Sequence, residues 1–191
     1  SLMEDTDYSK LPYEMVRIPA GEYIMGGEIG LSIERPPHTV ALTYDFYMGV
    51  YEVDQLLFSV VMGFNPIKVH GRDCEGRIFP PEAEEPAYCV SWFEAVRFAN
   101  KLSERDGLEQ CYEVVNGMLY WSKGLECEGY RLPTEAEWEY TARGGEDFVY
   151  AGSNEPSEVA WYWENSEKDV QPVGGKAPNK YGVYDMSGNV W

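Results

Sequence analysis

Two stretches of this chain open on a capping box, and they carry its strongest helical signals. In Ser91-Trp92-Phe93-Glu94 the Ser hydroxyl can accept from the amide three residues on, while Glu94 reaches back to the cap amide. Ala95, Val96, Phe98, Ala99 and Leu102 then repeat at helical spacing, and Gly107 ends the run. The second box is Thr134-Glu135-Ala136-Glu137, stopped by Gly144-Gly145, with Trp138 and Ala142 four apart on one face. A third run, Val53 to Met62, places Leu56, Leu57, Val60 and Val61 on one face without a box. Outside these runs, 19 Gly and 12 Pro divide the chain. Such punctuation leaves room for short elements and many turns, not for long helices.

The strand signals fit that picture. Met15 to Pro19 and Gly21 to Gly27 read as short strands, followed by a loop from Glu28 to Pro37. Val40 to Tyr51 alternates in strand fashion. Tyr112 to Val115 and Met118 to Trp121 flank Asn116-Gly117, a dipeptide suited to the positive φ values of a type I′ hairpin turn. Residues 63–88 are rich in Gly, Pro and charge and read as a surface loop, either a tolerated insertion or a substrate-facing segment. Within it, Glu82, Glu84 and Glu85 read as a solvated acidic run. Trp92, Phe98, Trp138 and Tyr140 read as core. The expected class is α+β: two main helices, short antiparallel strands and long loops. Residues 1–14 are expected to be a flexible N-terminal segment and 15–191 a single domain.

Charge and residue inventory narrow the chemistry. The formal net charge is −18, from 33 acidic and 15 basic residues. A field of that sign repels phosphate backbones, so nucleic acid is excluded; calcium or a basic peptide matches it better. No apolar run is long enough for a transmembrane helix. With two histidines, His38 and His70, and no CxxC pair, a structural zinc site is not expected. No Ser-His-Asp set, phosphate loop or HExxH is present. Cys111 and Cys127 bracket the hairpin, as a disulfide or as two buried thiols; Cys74 and Cys89 show no ligand spacing. Trp161-Tyr162-Trp163 places three large aromatics together. They cannot all point inward from one short segment, so either at least one lines a ligand-contacting surface or they pack under the long loops.

Six ordered pieces resemble a known family. They are Ile18-Pro19-Ala20-Gly21, Pro37-His38-Thr39-Val40, Tyr51-Glu52-Val53, Val90 to Ala95, Gly129-Tyr130-Arg131-Leu132-Pro133-Thr134-Glu135-Ala136-Glu137-Trp138 with Ala142-Arg143-Gly144-Gly145, and Tyr184-Asp185-Met186-Ser187-Gly188-Asn189-Val190-Trp191. Together they are similar to the FGE-sulfatase domains, the formylglycine-generating-enzyme or sulfatase-modifying-factor type. The resemblance implies an irregular fold related to C-type lectins and often holding calcium. It implies copper- and oxygen-dependent oxidation of a sulfatase cysteine to formylglycine as the founding activity, and binding proteins among the relatives.

The resemblance also implies particular residues. A calcium site would use Asp185, with the carbonyls of Gly188 and Val190 and a Glu just after Trp191. A second family site often has an acid after a Pro-Val pair, where this chain has Gly174. Copper would need a cysteine pair beyond Trp191. The chain is therefore expected to be an incomplete domain and not active by itself, acting on a sulfatase-like peptide or protein if an oxidase. The alternative is a peptide- or glycan-recognition module. No catalytic residue is assigned: His38 and Arg131 read as structural, the latter as a partner of Glu135, Glu139 or a loop carbonyl. Ser1-Leu2-Met3 reads as a cloning scar, which leaves both export and a cytoplasmic location open.

Overall fold

The computed structural model describes residues 11–28, 32–70 and 84–190. In chain order the elements are β1 (Met15–Ile18), β2 (Gly21–Met25), β3 (His38–Leu42), β4 (Phe46–Gly49), α1 (Gln55–Met62), α2 (Pro66–His70), α3 (Trp92–Arg105), β5 (Glu113–Val115), β6 (Met118–Tyr120), α4 (Glu135–Arg143) and α5 (Pro156–Val159). The strands form three two-stranded antiparallel sheets, β1 with β4, β2 with β3, and β5 with β6. This is the expected mixture of modest helices and short strands. The chain divides into two compact units, one made by the contiguous stretch Val53–Leu132 together with the residues up to Pro12, and one formed by Tyr13–Glu52 with the segment from Pro133 onward.

In the contiguous unit, Asp54 caps α1 by accepting from the Leu57 amide at 2.7 Å. Phe58 stacks on Phe98 of α3, ring centroids 5.4 Å apart and nearly parallel. Both arms of the Ser91–Glu94 capping box are made. The stretch read as a loop contains α2, whose first amides are capped by Asn65. Cys74 and Glu82 lie outside the described residues. Glu85 is not solvated as expected: it is 8 % exposed and takes the Gln55 side-chain amide at 3.3 Å, because a buried carboxylate needs a donor. Trp92 is exposed too, at the first position of α3, ahead of the buried stripe of Val96, Ala99 and Leu102. The β5–β6 hairpin turns through Asn116 and Gly117, both at positive φ. Cys111 and Cys127 are joined as a disulfide inside a cluster with Val96, Ala99 and Tyr112, which closes the two-thiol alternative. Cys89 is likewise disulfide-bonded.

The second unit packs Ile18, Leu42, Tyr140 and Val183 at its centre. The strand-like run Val40 to Tyr51 is two strands, not one. Asp45 breaks it by accepting from the Ala20 amide and pairing with Arg17, which ties the corner to β1. Helix α4 is held by both arms of the Thr134–Glu137 box, and the fully buried Glu137 also receives the Tyr44 hydroxyl at 3.1 Å. Tyr23 of β2 packs on Tyr140, and its hydroxyl donates to the Ala136 carbonyl at 2.9 Å. The buried positions of α4 are Glu137, Tyr140 and Thr141, so Trp138 falls on the opposite side and is 46 % exposed, not core.

Candidate functional site

The second unit brings together the C-terminal turn and the aromatic segment that the sequence singled out. Asp185 and Asn189 both sit at positive φ, and Gly188 between them at +100°. A Cβ at Gly188 would collide with the Trp161 carbonyl oxygen, so only glycine lets the turn lie this close to the 161 segment. That same carbonyl accepts the Asn189 amide at 2.9 Å. The Asn189 side chain then fastens three strands of loop. Its Oδ1 accepts from the Gln171 amide at 3.0 Å, and its Nδ2 donates to the Gln171 carbonyl at 3.0 Å and to Glu52 Oε2 at 2.8 Å.

Two carboxyl groups interact here, the charge of Asp185 acting on Glu52. Asp185 is 8 % exposed; its Oδ2 accepts the Gly174 amide at 2.6 Å, and its buried Oδ1 has no hydrogen-bond partner. Burial raises its carboxyl above the ordinary range, against the Gly174 amide, which opposes the shift. Glu52 is pushed up to about 8, first by burial and then by the charge of Asp185, with the Asn189 side chain and the Val190 amide working the other way. An acid raised by burial and by its neighbour's charge, beside one with an unmet oxygen, is an arrangement that a cation would relieve. Among the described residues no three His, Cys, Asp or Glu side chains converge, so such a cation would draw most of its oxygens from backbone carbonyls.

Glu52 was not singled out from the sequence. The available signal was its position inside Tyr51-Glu52-Val53, an acid between two apolar residues at the point where a strand pattern ends. Gly174 now has a physical reason. It lies at φ +73°, a side chain there would strike the Tyr51 ring, and its amide is committed to Asp185. An acid at that position is therefore sterically excluded.

Of the three adjacent aromatics, Trp161 and Tyr162 are half-buried and Trp163 is 66 % exposed. Lys176 lies over the Trp161 ring at 3.9 Å and Lys168 over the Trp163 ring at 5.0 Å. Other residues with a sequence-level reading are structural. His38 Nδ1 is 3.1 Å from the Pro36 carbonyl. Arg131 donates to the Leu132 carbonyl and covers the Trp121 ring, while Glu139 pairs with Arg143. Among the described residues no helix is long and apolar enough to cross a membrane.

Comparison with known proteins agrees with this architecture. The family described as "Sulfatase-modifying factor enzyme 1-like domain", FGE-sulfatase, matches residues 3–191. The chain is 36 % identical over 179 residues to "Chaperone protein LppX" of Paenibacillus barcinonensis, covering 76 % of this chain and 60 % of that protein. It is 28 % identical over 213 residues to "Formylglycine-generating enzyme" of Bos taurus, covering 94 % of this chain and 57 % of that enzyme. The chain thus spans less than two thirds of the length of these two relatives. The solved structure of "Treponema denticola variable protein 1" superposes with a TM-score of 0.77 at 35 % identity, over 92 % of this chain and 69 % of that one. By its matched profile and its ordered motifs, the chain belongs to the FGE-sulfatase family, the sulfatase-modifying factor enzyme 1-like domains.

Proposed function

We propose that this chain is a polypeptide-recognition scaffold of the FGE-sulfatase type, organised by a cation at the Asp185 turn, and that it does not by itself oxidise a substrate cysteine. The observation that carries this reading is the state of the sulfurs. Copper in a thiol-oxidising site requires thiolate ligands. Cys111 and Cys127 are bonded to each other, Cys89 is disulfide-bonded, and no described cysteine is free. The residues present therefore do not fit copper.

Calcium is the ion that this reading assigns to the turn. The unpartnered Asp185 Oδ1 would supply one hard oxygen, and the carbonyls of Gly188 and Val190 would add two more. Glu52, whose carboxyl is raised to about 8, would give up its proton to the ion and add the second negative charge. The ion would neutralise both acids and fix the turn against the 161 segment. Trp163, exposed two residues beyond Trp161, is the kind of large amphipathic side chain that anchors a bound peptide.

The relative named a formylglycine-generating enzyme favours a second reading, in which the whole protein is an oxidase. One experiment separates the two. The chain is mixed with a fluorescent peptide carrying a sulfatase-type cysteine, with copper and oxygen. Peptide binding is followed by anisotropy, and aldehyde by hydrazide labelling and mass. Binding without aldehyde is expected. Aldehyde formation by this chain alone overturns the proposal.

A further inference from the structure

Trp163 is held in place by more local structure than an idle surface residue needs. Asn165 Oδ1 accepts the Tyr162 amide at 2.8 Å, and its Nδ2 donates to the Ala160 carbonyl at 3.0 Å. The Asn165 and Ser166 amides both donate to the Tyr162 carbonyl. The next turn closes from the Asp169 amide to the Ser166 carbonyl at 3.0 Å, with Glu167 and Lys168 both in the left-handed region, at φ 56° and 65°. Two consecutive non-glycine residues there are strained, and such strain persists only where surrounding contacts enforce it. The result of the turn is an ammonium set over an exposed indole: Lys168 Nζ lies 5.0 Å from the Trp163 ring centroid.

Trp163 therefore already binds a cation, and that cation comes from its own chain. The neighbours of the ring in sequence are Glu164 and Glu167, both exposed, in a protein of formal charge −18. We propose that Trp163, flanked by Glu164 and Glu167, is a docking site for a lysine or arginine side chain of a partner peptide, and that Lys168 occupies it in the free protein as an internal surrogate. The inference rests on the recognition reading above and supplies the partner's chemistry. An indole face attracts an ammonium or guanidinium through its ring quadrupole, and the exposed Glu164 and Glu167, close by in sequence, would add long-range attraction for its charge. The same carboxylates and the net charge repel an acidic peptide or a uronate-bearing glycan. Displacing Lys168 exchanges one cation for another and costs the site no unpaired charge.

The test uses the whole chain and a labelled peptide series of one length, containing two arginines, two alanines or two glutamates at the same positions. Affinity is read by anisotropy at two salt concentrations. Variants are Trp163→Ala, the double change Glu164→Gln with Glu167→Gln, and Lys168→Asn, which removes the charge but suits the left-handed backbone. The arginine peptide should bind at least tenfold more tightly than the alanine peptide. Trp163→Ala should lose that margin, the double change should lose several-fold, and Lys168→Asn should gain several-fold. Equal binding of the arginine peptide by the Trp163→Ala protein would reduce the effect to bulk charge and overturn the proposal. Weaker binding by Lys168→Asn, or preference for the glutamate peptide, would make Lys168 a receptor for anions and also overturn it. If arginine and alanine peptides bind alike through Trp163, this inference fails and the recognition reading stands. If no peptide binds at all, both fall.

Discussion

Asn189 and Glu52 meet across 137 residues of sequence, the Asn189 side-chain amide donating to the Glu52 carboxylate at 2.8 Å. One asparagine thereby joins the end of the β4 segment to the C-terminal turn and, through Gln171, to the loop between them. Asn189→Ala removes three side-chain hydrogen bonds and leaves the Glu52 carboxyl with only the Val190 amide of its two donors. Loss of such partners costs about 1–3 kcal/mol. Denaturant unfolding of the variant should show a lower midpoint with an unchanged slope.

Glu52 sets a pH dependence in calcium-free protein. Its carboxyl titrates near 8 in the folded chain against an ordinary value of 4.5. The folded state therefore holds a proton that the unfolded state releases between those values, and the contribution is complete at low pH and lost as pH rises. Stability should fall by up to about 1.4 kcal/mol per pH unit across that window. Glu52→Gln keeps the shape and removes the titration, so its curve should be flatter. Chemical unfolding at several pH values in chelator reads both slopes.

Calcium should act on the same pair in the opposite sense. An ion bound only to the folded state stabilises it by about 2.7 kcal/mol at a hundredfold excess over its dissociation constant. The melting temperature of the chain should rise on adding calcium and fall back with chelator. Asp185→Asn should abolish the response, because it removes the ligand charge at the unpartnered oxygen.

Gly174→Asp copies the acid often found after Pro-Val in the family. Here the new side chain meets the Tyr51 ring in a left-handed backbone and places another carboxyl beside Asp185. It should create no additional cation site and should destabilise by more than about 2 kcal/mol. Calorimetric titration with calcium would show an unchanged or smaller number of sites.

Reduction probes the contiguous unit. Opening the Cys111–Cys127 bond frees a loop of sequence separation 16, worth about 3 kcal/mol in the chain-entropy account. Dithiothreitol, or the paired Cys→Ser changes at both positions, should lower the midpoint, with Tyr112 and Trp121 fluorescence changing first.

The elements that could be read from the sequence are those whose signals are local. The two capping boxes and the Asn116-Gly117 turn are set within a few residues, and each formed as read. The sequence signals misled where burial depends on residues far along the chain. Trp138 looked like core by its size, but Glu137, Tyr140 and Thr141 occupy the buried side of α4. Glu85 looked solvated by its charge, but Gln55 meets it from thirty residues away. Asp185 was legible only through its motif, and Glu52 was not, because the two acids are brought together by long-range folding and not by spacing.

The discontinuous make-up of the second unit bears on how the molecule is born. Ile18 and Leu42 leave the ribosome well before the residues they pack against, Tyr140 and Val183. Val53–Leu132, the main stretch of the other unit, lies between them in the sequence. The paired strands β1 to β4 therefore present an unfinished centre until α4 and Val183 emerge, and that interval is when a holdase would matter most.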